Sequence, residues 1–423
     1  MCTSLRNILL LTCLLIGVWE AEAQESDATF KRNPQSQSDS LLNMDANANR
    51  PTLQLGNTPV SIGGYFEVNS IYAVEEGDTD GFAFQPRRLS LIVSAPITKR
   101  ISFLSEIEFE DGGEEIEIEY AAVDVNLFTE LNFRSGIIVN PIGAFNQNHD
   151  GPKWEFVERP DVSTKLLPST FSNAGAGLYG KFHKADWSFG YEAYITNGFN
   201  ENIINNADSR TSLPATKSNN PGRLGMDNAD DDFENHSGKP LFTGKIAIKK
   251  RKLGEIGFSY MGGVYNKQET DEGIPLWEKD MRVDVAAVDI NTAIASTQTK
   301  IIGEAAYVWV DIPKNYIPQY GSEQWGAFVD FVQPIYQNPI FNWDQAVVNF
   351  AARFDYNDYN IGKFKETGEK IGDKAFAITP ALSFRPSPQT VFRFNYRYEW
   401  KNDLIYNPWE KTATWYFGLS TYF

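Results

Sequence analysis

The sequence predicts an all-β transmembrane barrel of about 16 antiparallel strands, and three observations predict it. Segments of roughly ten residues alternate apolar with polar or small residues from position 60 to position 423. The apolar faces are rich in rings and carry no charge. The connections alternate between short and long.

Composition narrows the class first. The chain has 423 residues, of which 14% are aromatic, and a net charge of −17. That aromatic content argues against disorder. The acidic surplus argues against a nucleic-acid partner, because such partners select basic surfaces. No segment approaches 18 consecutive apolar residues, so no membrane-spanning helix is expected. The cysteines are Cys2 and Cys13, and the histidines are His149, His183 and His236. No His/Cys metal cluster follows from neighbours in sequence, and no cofactor is expected.

Residues 1–23 read as a secretory signal. Arg6 supplies the positive start, and the apolar stretch Ile8–Val18 is too short for a spanning helix, which needs ~20 residues. Ala21-Glu22-Ala23 is a small-residue cleavage site, and removal takes both cysteines away. Residues 24–56 are polar and lack a sustained period, so they read as a flexible periplasmic tail or a plug-like extension. Residues 57–423 form the barrel. Strands are expected near 60–73, 86–95, 101–110, 115–126, 131–140, 174–183, 186–196, 240–249, 253–264, 280–290, 298–310, 323–333, 346–357, 373–385, 390–400 and 412–423. An even number is what single-chain bacterial barrels require.

Five of these strands have clear faces. In 390–400, Phe392, Phe394, Tyr396, Tyr398 and Trp400 share one face. Trp187, Phe189, Tyr191, Ala193 and Ile195 do so in the seventh strand, and Trp415, Phe417, Leu419, Thr421 and Phe423 in the last. The faces led by Phe133 and by Phe350 and Phe354 behave alike. All charges of these strands fall on the alternate positions: Arg134, Asp186, Glu192, Arg353, Asp355, Arg393, Arg397 and Glu399. A soluble β-sandwich also alternates, but its uncharged face is a dry aliphatic core. Here that face is aromatic, and the opposite face would ruin a core. Lipid outside and water inside explain the segregation: a charge on the lipid face costs ~2–4 kcal/mol at the midplane, whereas one in a wet lumen costs little.

Short connections are read as periplasmic turns and long ones as outer loops, which puts both termini on the periplasmic side. The final strand, closing on Phe423, resembles the C-terminal signal read by the barrel-assembly machinery. Pro380 interrupts a good strand, and a bulge is expected there. A phase slip between Tyr120 and Val123 predicts another.

Arg88, Arg353, Arg385, Arg393 and Arg397 fall on inward positions of strands 2, 13, 14 and 15. Closure between strands 16 and 1 brings these strands together and predicts a basic patch on one wall. The third-loop acids Glu155, Glu158 and Asp161 are expected to face it, giving a transverse field across a water-filled lumen. The alternative is scattered lumen charges that pair and keep the wall wet. Glu67, Glu106, Glu108, Glu117 and Glu119 are expected on the opposite side. Carboxylates so placed on strands read as wall-wetting groups and not as glycosidase pairs. The run Asp227–Asp232 lacks the spacing and glycine of a calcium loop and reads as a solvated loop tip.

The order of several motifs resembles the phosphate-selective porin O/P family. Phe84-Gln85-Pro86-Arg87-Arg88-Leu89 is similar to its Phe-x-x-Arg-Arg element, and Phe156-Val157-Glu158-Arg159-Pro160 to its Phe-x-Glu-Arg-Pro element in the third loop. The strand from Trp187 to Asn197-Gly198 and the hairpin SFRPSPQTVFRFNYRYEW also resemble family elements. The resemblance implies a 16-stranded pore, a homotrimer, and a third loop folded into the lumen. A phosphate-selective constriction needs clustered Lys and Arg. The third loop offers Lys153, Arg159 and Lys165 against Asp150, Glu155, Glu158 and Asp161, a slightly acidic balance. The expected function is therefore passive diffusion of small polar or anionic solutes, phosphate among them, across an outer membrane whose lipid is the barrel's main partner. No enzyme motif such as G-x-S-x-G or H-E-x-x-H occurs, so no catalysis is expected. The rival reading is a plugged receptor or adhesin barrel using the long 197–239 loop.

Overall fold

A computed structural model describes residues 30–33, 35–36, 38, 40–79, 81–208, 210–216, 237–266, 270–271, 274–275, 279–314, 316, 320–365 and 367–423. The expected signal segment, His236 and the Asp227–Asp232 run lie outside them.

Sixteen antiparallel strands follow in sequence: β1 (Ser61–Glu75), β2 (Phe82–Pro96), β3 (Ile101–Glu110), β4 (Glu115–Phe128), β5 (Leu131–Val139), β6 (Ser172–Lys184), β7 (Trp187–Thr196), β8 (Leu241–Lys250), β9 (Gly254–Val264), β10 (Arg282–Ile294), β11 (Thr299–Val310), β12 (Glu323–Tyr336), β13 (Val347–Asp358), β14 (Lys374–Ser387), β15 (Thr390–Lys401) and β16 (Glu410–Tyr422). Each pairs with its chain neighbours. The sheet closes where Tyr422 of β16 stands opposite Tyr65 of β1 and Thr412 opposite Glu75. Every expected strand is present. Closure leaves no edge, as a lipid-exposed sheet requires, because an unpaired N–H or C=O finds no water there.

The faces follow the alternation. Phe354, Phe394, Trp415 and Phe417 are exposed on the outer face, while Arg353, Arg393, Asn395 and Ser420 are buried inside.

Two of the irregularities matter to the lumen. In β2, Glu67 faces Arg88 and Val68 faces Pro86, so Arg87 is an inserted residue. The bulge lets the adjacent Arg87 and Arg88 both reach inner carboxylates, which a regular strand forbids. In β4, Glu106 faces Tyr120 and Ile107 faces Ile118, so the bulge falls at Glu119, at the edge of the expected slip. Pro380 differs from expectation. It stands opposite Ala352 in unbroken register, and the register with β15 is the same on either side of it. Proline removes one ladder bond, but that loss does not require an extra residue. In β12 a register shift does accompany a proline, between Pro334 and Tyr336.

The interior is not uniformly wet, contrary to the simplest reading of the alternation. Met261, Val283, Val285, Val308 and Phe328 on β9–β12 point inward and are buried. Against them pack Ile142, Phe145, Trp154, Val162, Leu166 and Phe171 of the third loop, and Phe199, Ile203 and Leu213 of the fourth. This core inside the barrel is what draws the loops in. Burying each such side chain contributes on the order of 1.5–3 kcal/mol.

The described part of 24–56 is folded and not a free tail. Thr52–Leu55 pairs with Phe30–Asn33, and its Leu53 and Gln54 pair with Ile62 and Ser61 of β1. Between these pairings, residues 41–50 enter the lumen from the short-turn end. The Asn43 amide N–H donates to Glu255 at 3.0 Å, its side chain donates to the Ala144 carbonyl, and Lys249 donates to the Leu41 carbonyl at 2.6 Å. Gly190 admits the segment: a Cβ there would stand 2.6 Å from a Leu42 methyl.

Candidate pore constriction

The third loop runs from Asn140 to Phe171 and crosses the lumen. Its entry turn uses Gly143 at φ +66°, where a Cβ would lie 2.3–2.5 Å from the Glu304 carboxyl group. The amides of Ala144 and Phe145 donate to that carboxylate at 2.7 and 3.1 Å, and the Ser163 hydroxyl donates to it at 3.1 Å. The loop is thus anchored to β11 at both ends of its inward run.

On the opposite wall it meets the arginines. Arg397 donates to Asp161 at 2.5 Å and to Asp355 at 3.2 Å. Arg385 pairs with Glu155 at 2.8 Å, and Ser383 donates to the same carboxylate. Arg87 pairs with Glu158 at 2.6 Å. Arg393 donates to the carbonyls of Gly151 and Phe156 and to the Glu67 carboxylate at 2.8 Å. Arg353 binds Asp330 in a fork at 2.7 Å and donates to the Glu158 carbonyl. Arg88 reaches Glu108 at 2.6 Å and Glu110 at 2.8 Å.

All eight residues singled out from the sequence therefore meet in one region. Their arrangement combines the two readings: the arginines cluster on one wall, and each is neutralised by an acid. Arg393 is 1% exposed, Arg353 2% and Arg397 6%. The space between Glu67, Arg88 and Arg393 measures about 10 Å³, roughly one water. These groups fasten the loop to the wall. The members that reach solvent are Lys165, Glu158 and, less so, Arg87 and Arg385.

Charge balance sets the ionisation of the loop. Burial pushes Asp161 up, but Arg397 and Lys165 outweigh it and hold it below the usual range. The same contest, decided by Arg385 and Ser383, lowers Glu155, and Arg87 lowers Glu158. Asp150 is held well below its ordinary value by Arg50 and Lys153 despite complete burial.

Glu67 corrects an expectation. It does not stand across the lumen but beside the arginines, because closure sets β1 between β16 and β2, where Glu67 faces Arg88 and Ser420, and Glu108 likewise meets Arg88 at 2.6 Å. Arg50 and Tyr422 carry no sequence signal that points to them as partners, and Arg87 carries a weak one. Arg50 donates to Asp150 at 2.6 and 2.9 Å and to Glu106 at 2.7 Å, and Tyr422 donates to Asp150 at 2.6 Å. The adjacency of two arginines inside a strand was the available hint for Arg87.

Two larger spaces, of about 400 and 390 Å³, adjoin at the short-turn end and share Gln35, Lys153 and Lys300. Their charged lining is Lys153, Lys249, Lys252, Lys300 and Arg385 against Asp45, Glu155 and Glu255.

No family model matches the chain. An uncharacterized protein of Aquifex aeolicus is 26% identical over 376 residues, covering 85% of this chain and 80% of that one. Solved structures with the same architecture include an anion-selective porin of Comamonas acidovorans (TM-score 0.51, 11% identity, 86% of this chain and 99% of that one). The outer membrane channel DcaP of Acinetobacter baumannii aligns at TM-score 0.51 with 13% identity, over 86% and 97% of the two chains. Pseudomonas putida OprB aligns at TM-score 0.53 with 8% identity, over 86% and 94%. The chain has the porin fold. At these identities the likeness concerns architecture alone.

Proposed function

We propose that the protein is an outer-membrane channel for passive diffusion of small polar solutes, with anions, phosphate among them, favoured over cations. The observation that carries this reading is the third loop folded across a closed 16-strand lumen and fastened to a wall of arginines, which narrows the path. The anion preference rests on the short-turn mouth, where five cationic side chains outnumber three carboxylates around the open space. Under this reading the short turns and both termini face the periplasm, the chains assemble as homotrimers, the final strand is read by the barrel-assembly machinery, and no chemical step is catalysed.

Segment 41–50 favours a second reading, a plugged receptor or adhesin barrel, because it occupies the lumen from the short-turn end. Planar-bilayer recording in a KCl gradient separates the two. A channel gives steady unit conductance without added partner and a reversal potential of anionic sign. Absence of conductance from folded protein refutes the channel reading, and a cationic reversal potential refutes the anion preference.

A further inference from the structure

Two features of the lumen lie outside the channel reading: a histidine with an unused ring nitrogen, and a cation brought to it by the N-terminal segment. His149 is 1% exposed. Its Nδ1 lies 2.8 Å from the Asn146 carbonyl oxygen. A carbonyl accepts only, so Nδ1 carries the proton, and in the neutral form of the ring Nε2 presents a lone pair. That nitrogen has no hydrogen-bond partner. It is aimed at two carboxylates, 3.7 Å from Glu106 and 3.9 Å from Asp150, both fully buried. Donor atoms of the three residues lie within 4.8 Å of one another.

Three acceptors so placed repel one another unless a cation stands among them. The resident cation is Arg50, which donates to Glu106 at 2.7 Å and to Asp150 at 2.6 Å. Its guanidinium satisfies the two carboxylates and leaves the imidazole unserved. Arg50 arrives on segment 41–50, whereas the three acceptors belong to β3 and the third loop. The acceptors are therefore built into the barrel, and the cation is carried by the N-terminal segment.

We propose that Glu106, His149 and Asp150 form a divalent-metal site, one imidazole nitrogen and two carboxylate oxygens, that Arg50 occupies when the N-terminal segment is seated and that a metal ion takes when Arg50 is withdrawn. The donor set suits Zn²⁺ or another borderline divalent cation. The histidine engages such an ion as the free base, and its Nδ1–H···O=C bond to Asn146 fixes the ring orientation, the usual role of a partner on the far nitrogen. Lys153, 2.9 Å from Asp150, repels the ion and limits affinity while it stays there. The metal and the seated segment exclude each other, since both need the same oxygens. This inference does not depend on solute transport.

The test is isothermal titration of Zn²⁺ into the full folded chain in detergent, in a background where His183 and His236 are alanine so that His149 is the sole imidazole. Arg50→Ala should bind one Zn²⁺ per chain at least tenfold more tightly than the Arg50 protein. Adding His149→Ala to it should undo that gain. The Co²⁺ form of Arg50→Ala should show visible d–d absorption that His149→Ala abolishes. Arg50→Gln serves if the alanine variant does not refold. Zn²⁺ affinity unaffected by removing Arg50, or a gain that survives loss of His149, overturns the proposal.

Discussion

Arg393 offers the sharpest test of how the third loop is held. Its guanidinium is 1% exposed and joins three partners: the Glu67 carboxylate at 2.8 Å, the Phe156 carbonyl at 2.8 Å and the Gly151 carbonyl at 3.2 Å. Arg393→Ala leaves Glu67 buried, with Arg88 at 3.6 Å as its remaining cation contact. Removing one partner of a buried pair costs about 3–5 kcal/mol, because an uncompensated charge stays behind. At 1.4 kcal/mol per decade, the detached form of the loop rises ~10²–10⁴-fold. Lys153, Arg159 and Lys165 lie on this loop, so trypsin should cut it far faster in the variant than in the parent, and single-channel records should become noisy. Adding Glu67→Gln removes the stranded charge and should restore part of the protection, leaving a cost of about 1–3 kcal/mol for the two unserved carbonyls. If Arg393→Ala matches the parent in cleavage rate, conductance and selectivity, the arginine wall does not hold the loop.

The acids that fasten the loop, Asp150, Glu155, Glu158 and Asp161, have folded pKa values below their ordinary ones. Their contribution is complete above the unfolded values near pH 4 and disappears as pH falls through the lower folded values, so the difference in unfolding midpoint between the parent and Asp161→Asn should stay constant from pH 7 to about pH 5 and shrink only in stronger acid. Gly143→Ala should lower stability by ~2–4 kcal/mol, through the positive φ and the displaced Glu304 carboxylate, read as a lower temperature for loss of the compact band on a gel. Phe394→Lys puts a charge on the lipid face and should cost ~2–4 kcal/mol in vesicle refolding titrations.

The strands were legible because each residue's solvent is decided locally. In β15 the rings from Phe392 to Trp400 and the polar set from Arg393 to Glu399 separate at a period of two, and lipid and water enforce that separation without help from distant residues. The wall of arginines followed from the same alternation plus closure. Pro380 misled because a proline that merely loses a ladder bond and one that needs an inserted residue look alike in sequence. The apolar inward positions of β10 and β11 were unreadable for a related reason. Val283, Val285 and Val308 look like any strand residues until the third loop arrives to cover them.

The sequence by itself determined the barrel, its strand number and which residues face inward, because alternation against two opposite solvents is a nearest-neighbour property. Only the tertiary structure decided what the inward residues touch. Arg50 meets Asp150 across 100 positions and Arg393 meets Glu67 across 326, and such pairings depend on closure, on two bulges and on how far a loop and a terminal segment reach into the lumen. Charge pairing inside the barrel is a matter of three-dimensional distance, which no local period encodes.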